Sequence, residues 1–284
     1  MRDIRVVLGI VIYYPSEKEL NRIIQYSKKF NHIYVYDNTE GEMQISNSIK
    51  LKESKTIRYL CDNTNVGLAK AYNNMCKRAI LEKFDFIILF DQDSILSNRE
   101  LSEYIDYIRL CDIDRVGLFT PEVIDLNKNI KNNEDINEVY SQVEWAISSG
   151  SAINLDVYKL TDGFDENYFI DRIDLDYCMQ LKEKEYKNIK INKVKLKHRI
   201  GDENKFIFLK ISQHKPIRHY YMFRNRLYYY FIKRQTKENR KKEIIESILH
   251  VIRVLMESNS IEKIKSILRG YIDFKNNNMG KKIN

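Results

Sequence analysis

Four short apolar runs, three of them closing on acidic or amide residues, constrain this chain more than any other feature. Residues 5–13, 32–36, 56–60 and 84–90 are rich in β-branched, leucine and aromatic side chains. The second ends in Asp37-Asn38, the third in Cys61-Asp62-Asn63 and the fourth in Asp91-Gln92-Asp93, while the first meets Pro15-Ser16. Near-continuous apolar runs are strands buried on both faces, as in parallel sheets covered by helices. Helical patterns lie between them. Ser16 caps a helix reaching about Tyr26, with Glu19 at the capping-box position. Residues 67–81 place Ala71, Met75 and Ala79 at four-residue spacing. The alternation predicts an α/β fold with an open, mostly parallel, Rossmann-like central sheet flanked by helices. In such sheets ligands bind outside the carboxyl ends of the strands, where these polar residues gather.

A chain of 284 residues is long enough to hide roughly three quarters of its unfolded surface. Its 43% apolar and 31% charged residues exclude a disordered chain. No uncharged apolar stretch reaches about 18 residues, which excludes a transmembrane helix, and the start lacks a secretory cleavage signal. Lys plus Arg exceed Asp plus Glu by 48 to 40, so the net charge is +8. That balance suits phosphorylated substrates, anionic membranes or nucleic acid without choosing among them. The basic residues are spread out and carry no nucleic-acid motif, so no nucleic-acid partner is expected. Cys61, Cys76, Cys111 and Cys178 form no C-x-x-C pair and read as reduced thiols of a cytoplasmic protein.

The second half is less regular. Residues 116–119 read as a strand, and residues 145–154 as another, broken at Ser148-Ser149-Gly150-Ser151. Residues 127–138 look like an exposed loop. Ile244, Ile248, Ile252 and Leu255 share one helical face, and Ile261, Ile264, Ile267, Leu268 and Tyr271 form a similar stripe. Residues 275–284 are expected to fray.

Five groups can carry chemistry. Asp91 and Asp93 stand two positions apart at the end of an apolar strand, where paired carboxylates attract a hard divalent cation; a solvated turn would look the same. Asp171, Asp174 and Asp176 crowd an otherwise apolar stretch, which favours a proton-accepting role, although acids in a first helical turn also complement the helix dipole. Asn65-Val66-Gly67 opens a helix and lets backbone approach a phosphate, yet neither the dinucleotide-binding nor the P-loop spacing is present. His198 is either a metal ligand or a structural histidine. Arg224 and Arg226 suit a diphosphate, whereas the Tyr residues around them read as core.

In order along the chain, Val11-Ile12-Tyr13-Tyr14-Pro15, Val35-Tyr36-Asp37-Asn38, Asn65-Val66-Gly67-Leu68-Ala69-Lys70-Ala71-Tyr72-Asn73, Asp91-Gln92-Asp93-Ser94, Ser148-Ser149-Gly150-Ser151, Gly163-Phe164-Asp165-Glu166, Phe169-Ile170-Asp171-Arg172-Ile173-Asp174-Leu175-Asp176 and His198 resemble a known family. The sequence is similar to inverting family 2 glycosyltransferases of the GT-A fold, in their bacterial rhamnosyltransferase-like branch. The resemblance covers about residues 5–230. It implies a catalytic domain over residues 1–230, with a nucleotide-binding half to about 95 and an acceptor half beyond, followed by a basic amphipathic helical extension over 231–284. It implies nucleotide-sugar binding by Tyr13, Asp37, Asn65, Gly67, Asn73, Asp91, Gln92 and Arg224. Mg²⁺ or Mn²⁺ would be held by Asp93, Asp91 and His198. Asp174 takes the general-base position, with Asp171 the alternative because Ile173 replaces the family's Glu. Gln180 stands where the family often has Arg. The implied donor is dTDP-rhamnose, with a UDP-sugar as the alternative, and the acceptor a lipid-linked or growing surface polysaccharide. A basic, Tyr-rich C-terminal third fits peripheral contact with the inner face of the cell membrane. A GT-A-shaped binding protein without turnover is the remaining alternative, which intact Asp91, Asp93 and Asp174 disfavour.

Overall fold

The computed structural model describes residues 3–125, 138–198, 202–206 and 209–282. All but the last residue of the loop expected at 127–138 lies outside them. In chain order the elements are β1 (Val6–Ile12), α1 (Glu17–Ser27), β2 (Ile33–Asp37), α2 (Glu42–Lys52), β3 (Ile57–Leu60), α3 (Leu68–Leu81), β4 (Phe86–Asp91), α4 (Asn98–Leu110), β5 (Val116–Asp125), β6 (Tyr140–Val143), β7 (Ala152–Asn154), α5 (Leu155–Tyr158), α6 (Ile173–Glu183), β8 (Lys187–His198), β9 (Asp202–Phe206), β10 (Leu209–Gln213), α7 (Pro216–Tyr228), α8 (Lys237–Leu255) and α9 (Ser260–Lys275).

Two compact units divide the chain. The first takes Met1–Asp165 and Asp174–Arg199, the second Glu166–Ile173 and Ile200–Asn284. The boundary expected at residue 230 thus falls inside the second unit.

The first unit holds a sheet of order β3-β2-β1-β4-β7-β5-β8-β6. β1 to β4 pair in parallel, as does β5 with β8, while β7 and β6 run antiparallel to their neighbours. Phe86, Ile87, Ile88 and Leu89 have no exposed surface, as a strand covered on both faces requires. The register sets Ile12 beside Asp37 and Val11 beside Asp91, so three carboxyl ends align in one row. Ser16 and Glu19 form the expected capping box at the start of α1.

Only Ala152–Asn154 of the expected 145–154 strand is extended. The Ser148–Ser151 turn folds back along β4 instead: Gly150 N–H donates to Leu89 O at 2.7 Å and Leu89 N–H to Ser151 O at 2.9 Å. Gly150 sits at φ +83°, and a Cβ there would meet Leu196 and Pro121 side-chain atoms at 2.9 Å. Glycine alone meets both demands.

In the second unit α7 packs on α9, where Gly270 permits close approach: a Cβ would meet the Tyr220 carbonyl oxygen at 2.8 Å. Tyr220, Tyr221, Tyr228, Tyr229 and Tyr230 are buried, as a core reading of this segment requires. The tail after α9 does not fray through residue 282. Gly280 N–H donates to Asn167 O at 2.8 Å, and Lys282 N–H to the Tyr221 hydroxyl at 2.9 Å. Satisfied backbone groups hold it against the unit. Among the described residues no helix is long and apolar enough to cross a membrane.

Candidate active site

The carboxyl ends of β1, β2 and β4 supply the first unit's polar residues. β4 delivers Asp91 and then Gln92 and Asp93, all partly exposed. Asp91 Oδ1 accepts a hydrogen bond from the Tyr72 hydroxyl at 3.0 Å, and Asp91 N–H donates to Ser149 Oγ at 3.2 Å. The Tyr72 hydroxyl also lies 3.2 Å from Ser148 Oγ. Tyr72 has no exposed surface. Burial pushes its hydroxyl well above the ordinary phenol range, and the charges of Asp91 and Asp174 push the same way. It therefore stays protonated and donates permanently. Asp91, at the end of β4, and Asp174, in the first turn of α6, both act on this one hydroxyl. Asp174 is partly exposed, and its Oδ1 accepts from Leu175 N–H at 2.8 Å.

Gln92 ties β4 to β1, its Oε1 accepting from Tyr13 N–H at 2.7 Å. The Tyr13 ring is half exposed and stands edge-on to Tyr14, centroids 4.7 Å apart. This leaves an aromatic surface at the mouth of the strands.

Asp37 is fully buried. It accepts from Thr39 N–H at 2.7 Å, Asn47 Nδ2 at 2.9 Å and the Tyr59 hydroxyl at 2.7 Å. Its oxygens organise the strand end from within. Asn38 does the same for the next loop: Nδ2 donates to Gly67 O and Oδ1 accepts from Val66 N–H, both at 3.2 Å. Asn65 Oδ1 accepts from Gly67 N–H at 3.0 Å, and Gly67, at φ +83°, turns the chain into α3. Asn73 is buried and pins the turn at 163–164, donating to Phe164 O at 2.8 Å and accepting from Phe164 N–H at 2.9 Å and the Tyr158 hydroxyl at 2.7 Å.

Gln180 donates to Asp176 Oδ2 at 3.0 Å and to Gly163 O at 3.1 Å, and accepts from Asp162 N–H at 3.2 Å. A neutral amide here serves the buried Asp176 and a turn backbone together.

Two expected site residues belong to the second unit. Asp171 lies in a stretch where Phe169, Asp171 and Arg172 all have φ of +62° to +67°. Three non-glycine residues in the left-handed region store strain, a pattern that clusters at functional loops. Asn225, fully buried, holds that stretch by donating to Tyr168 O at 2.8 Å and Ile170 O at 2.6 Å. Arg224 is fully buried as well. Its guanidinium donates to Gly280 O at 2.8 Å, Asn278 O at 3.2 Å, Asn167 O at 3.3 Å and the Tyr220 hydroxyl at 3.1 Å. The structure gives it the tail and loop carbonyls as partners. His198 ends β8 opposite Asp125, and its side chain lies outside the described residues.

Tyr72, Ser148, Ser149 and Asn225 carry contacts that were not among the expected site residues, although the first three stand inside the motifs that carry the family resemblance.

Asp91 and Asp93 offer hard oxygen donors. Among the described residues, no three His, Cys, Asp or Glu side chains group closely enough to hold a metal by themselves.

No family model matches the chain. It is 28% identical over 281 residues to a dTDP-rhamnosyl transferase, RfbF, of Shigella flexneri, covering 93% of each chain. Among solved structures it is similar to a mannosyltransferase from Pyrobaculum calidifontis in complex with GDP-Man and Mn²⁺ (TM-score 0.56, 11% identity, 96% of this chain and 70% of that one). It is also similar to S. aureus TarS 1-349 in complex with UDP-GlcNAc (TM-score 0.53, 12% identity, 95% and 92%). A GalNAc-T7 with UDP, GalNAc and Mn²⁺ matches 69% of this chain, which spans 44% of that protein (TM-score 0.54, 12% identity). The mostly parallel sheet is that of a GT-A fold, and along nearly its whole length the chain is similar to a dTDP-rhamnosyl transferase.

Proposed function

We propose that the protein transfers L-rhamnose from dTDP-rhamnose, with inversion, to a hydroxyl of a lipid-linked or growing surface polysaccharide. The observation that carries this reading is the shared action of Asp91 and Asp174 on the Tyr72 hydroxyl. In this reading Asp91 is the diphosphate-side carboxylate and Asp174 the base, and the charge of each reaches that one buried hydroxyl. The rhamnosyl transferase relative supports the choice of sugar.

In this reading Tyr13 stacks against the nucleotide base, and Gln92 and Asn65 contribute polar contacts. Asp37, Gly67 and Asn73 shape the strand end and loop. Asp91 and Asp93, with His198, are the residues that would hold Mg²⁺ or Mn²⁺, and a cation there would supply positive charge to offset that of the diphosphate. Asp174 accepts the proton of the acceptor hydroxyl as that oxygen forms a bond to the anomeric carbon and the bond to the diphosphate breaks. The base must stand within hydrogen-bond reach of the hydroxyl on the face opposite the leaving group. Asp171 is the alternative base. The fixed Tyr72 hydroxyl limits the rotation of Asp91, which is preorganisation of the kind that lowers a barrier.

Thermal melting with dTDP, UDP and GDP, each with and without Mn²⁺ or Mg²⁺, tests the donor. Metal-dependent stabilisation by dTDP above the others is the expected result, since a ligand bound only to the folded state raises the midpoint. A preference for UDP moves the reading to a UDP-sugar with the same chemistry. No response to any of the three overturns it.

A further inference from the structure

The helix α8 buries one face and leaves a second, apolar face exposed. Glu243, His250 and Val254 are buried against the second unit. On the other side Ile244, Ile245, Ile248, Leu249, Ile252, Leu255 and Met256 are all between 40% and 61% exposed. Spacings of three, four and seven put them on one side of the helix. An apolar face this continuous on a soluble surface marks a docking site.

The charges around it choose the occupant. Lys237, Arg240, Lys241 and Lys242 crowd its first turns and Arg253 its last, all exposed. Against these five cations α8 carries three acids, and one of them, Glu243, is buried and paired with Arg226 at 2.9 Å. α9 repeats the pattern, exposing Ile261, Leu268 and Ile272 beside Lys265, Arg269 and Lys275. A two-fold contact between copies sets the same patch against itself and would oppose like charges. An anionic lipid surface accepts both features, apolar side chains among the acyl chains and cations at the phosphates. Lysine and arginine stems lie along apolar surface while their charges reach the headgroups.

We propose that the outward face of α8 docks the protein on an anionic bilayer surface, lying in the interface without crossing it. The surface is independent of the donor sugar and of Asp174, so nucleotide-dependent stabilisation is read separately and stands or falls without it.

Flotation of the full chain with vesicles tests the proposal, using phosphatidylcholine alone and with about 30 mol% phosphatidylglycerol, where basic segments gain their attraction. Binding to the anionic vesicles at low salt, at least about tenfold above neutral ones and weakened by added salt, is the expected result. Ile248→Ser/Ile252→Ser should abolish it. Lys241→Gln/Lys242→Gln, which leaves the apolar face intact, should weaken it by about fivefold for each cation removed. Melting curves of both variants with dTDP and Mn²⁺ confirm the fold. No flotation, or equal binding to neutral vesicles, overturns the proposal. So does a dimer seen by light scattering that Ile248→Ser/Ile252→Ser splits, which would make a second copy the occupant.

Discussion

The Tyr72 hydroxyl donates to Asp91 Oδ1 at 3.0 Å from a side chain with no exposed surface. A neutral donor locked in this way fixes the orientation of the first carboxylate of the motif. Tyr72→Phe keeps the ring and removes the donor. We expect a loss of at least about tenfold in kcat/KM, since one hydrogen bond to a charged group contributes about 1.5–3 kcal/mol, with weaker apparent metal affinity. Because the hydroxyl is held above the working pH range, the shape of the pH–rate profile should not change. Metal titration of transfer activity and a pH series on both proteins check this.

Asp174→Asn removes a proton acceptor without changing volume. Transfer should fall by about 10² to 10⁴ while metal-dependent stabilisation by the nucleotide persists, because general-base catalysis is worth that range. Asp93→Asn should do the reverse and erase the metal dependence of nucleotide binding. Parallel melting and single-turnover assays separate the two. If Asp171→Asn alone stops turnover, the base is Asp171.

Gln180 links the buried Asp176 to the turn at 162–163. Gln180→Leu leaves a buried carboxylate short of a donor, which costs about 1–3 kcal/mol and more for a charged group. A fall of several degrees in Tm is expected. A Gln180→Arg variant that melts higher than the parent would show that the neutral amide is a compromise.

Arg224 separates a structural role from a ligand-binding one. Its donors reach carbonyls of Asn167, Asn278 and Gly280. Arg224→Lys cannot span them, since a guanidinium fork is replaced by a point charge. The variant should lose about 2–4 kcal/mol of stability. Its Kd for nucleotide, measured calorimetrically below the melting range, should stay unchanged.

His250 gives a pH dependence. Its ring shares a hydrogen bond with His219 at 2.9 Å, and Arg226 lies 3.4 Å from its other nitrogen. Burial holds it down to about 3, with the charges of Arg226 and Arg253 and the rings of His219 and His214 pushing the same way. The unfolded chain, with an ordinary histidine near 6.5, takes up protons in the window where the folded protein does not. Stability is therefore fully present above pH 6.5 and lost as pH falls toward 3, by about 2 kcal/mol at pH 5 from this group alone. Denaturant unfolding at pH 7.5 and pH 5 measures the drop, and His250→Gln should reduce it.

The strands and first helices were legible in the sequence because their signals are local. Buried parallel strands read as unbroken apolar runs, and the Ser16–Glu19 box at the start of α1 is set by four consecutive residues. So were the carboxyl-end positions of Asp37 and Asp91, because strand ends and polar residues coincide along the chain. Partnership was not legible. Asp37 and Asp91 look alike in sequence, yet one is enclosed by Asn47 and Tyr59 and the other stands partly open beside Tyr72. Arg224 reads as an anion binder until the tail carbonyls reach it from more than fifty positions away. The stripe on α8 is periodic in either setting, and only packing decided that its other side is buried. Periodicity and capping act over one or two turns, so composition and spacing determine them. Burial and hydrogen-bond partners depend on segments far apart in the chain, and those meet only once the whole sheet and the helical unit have closed.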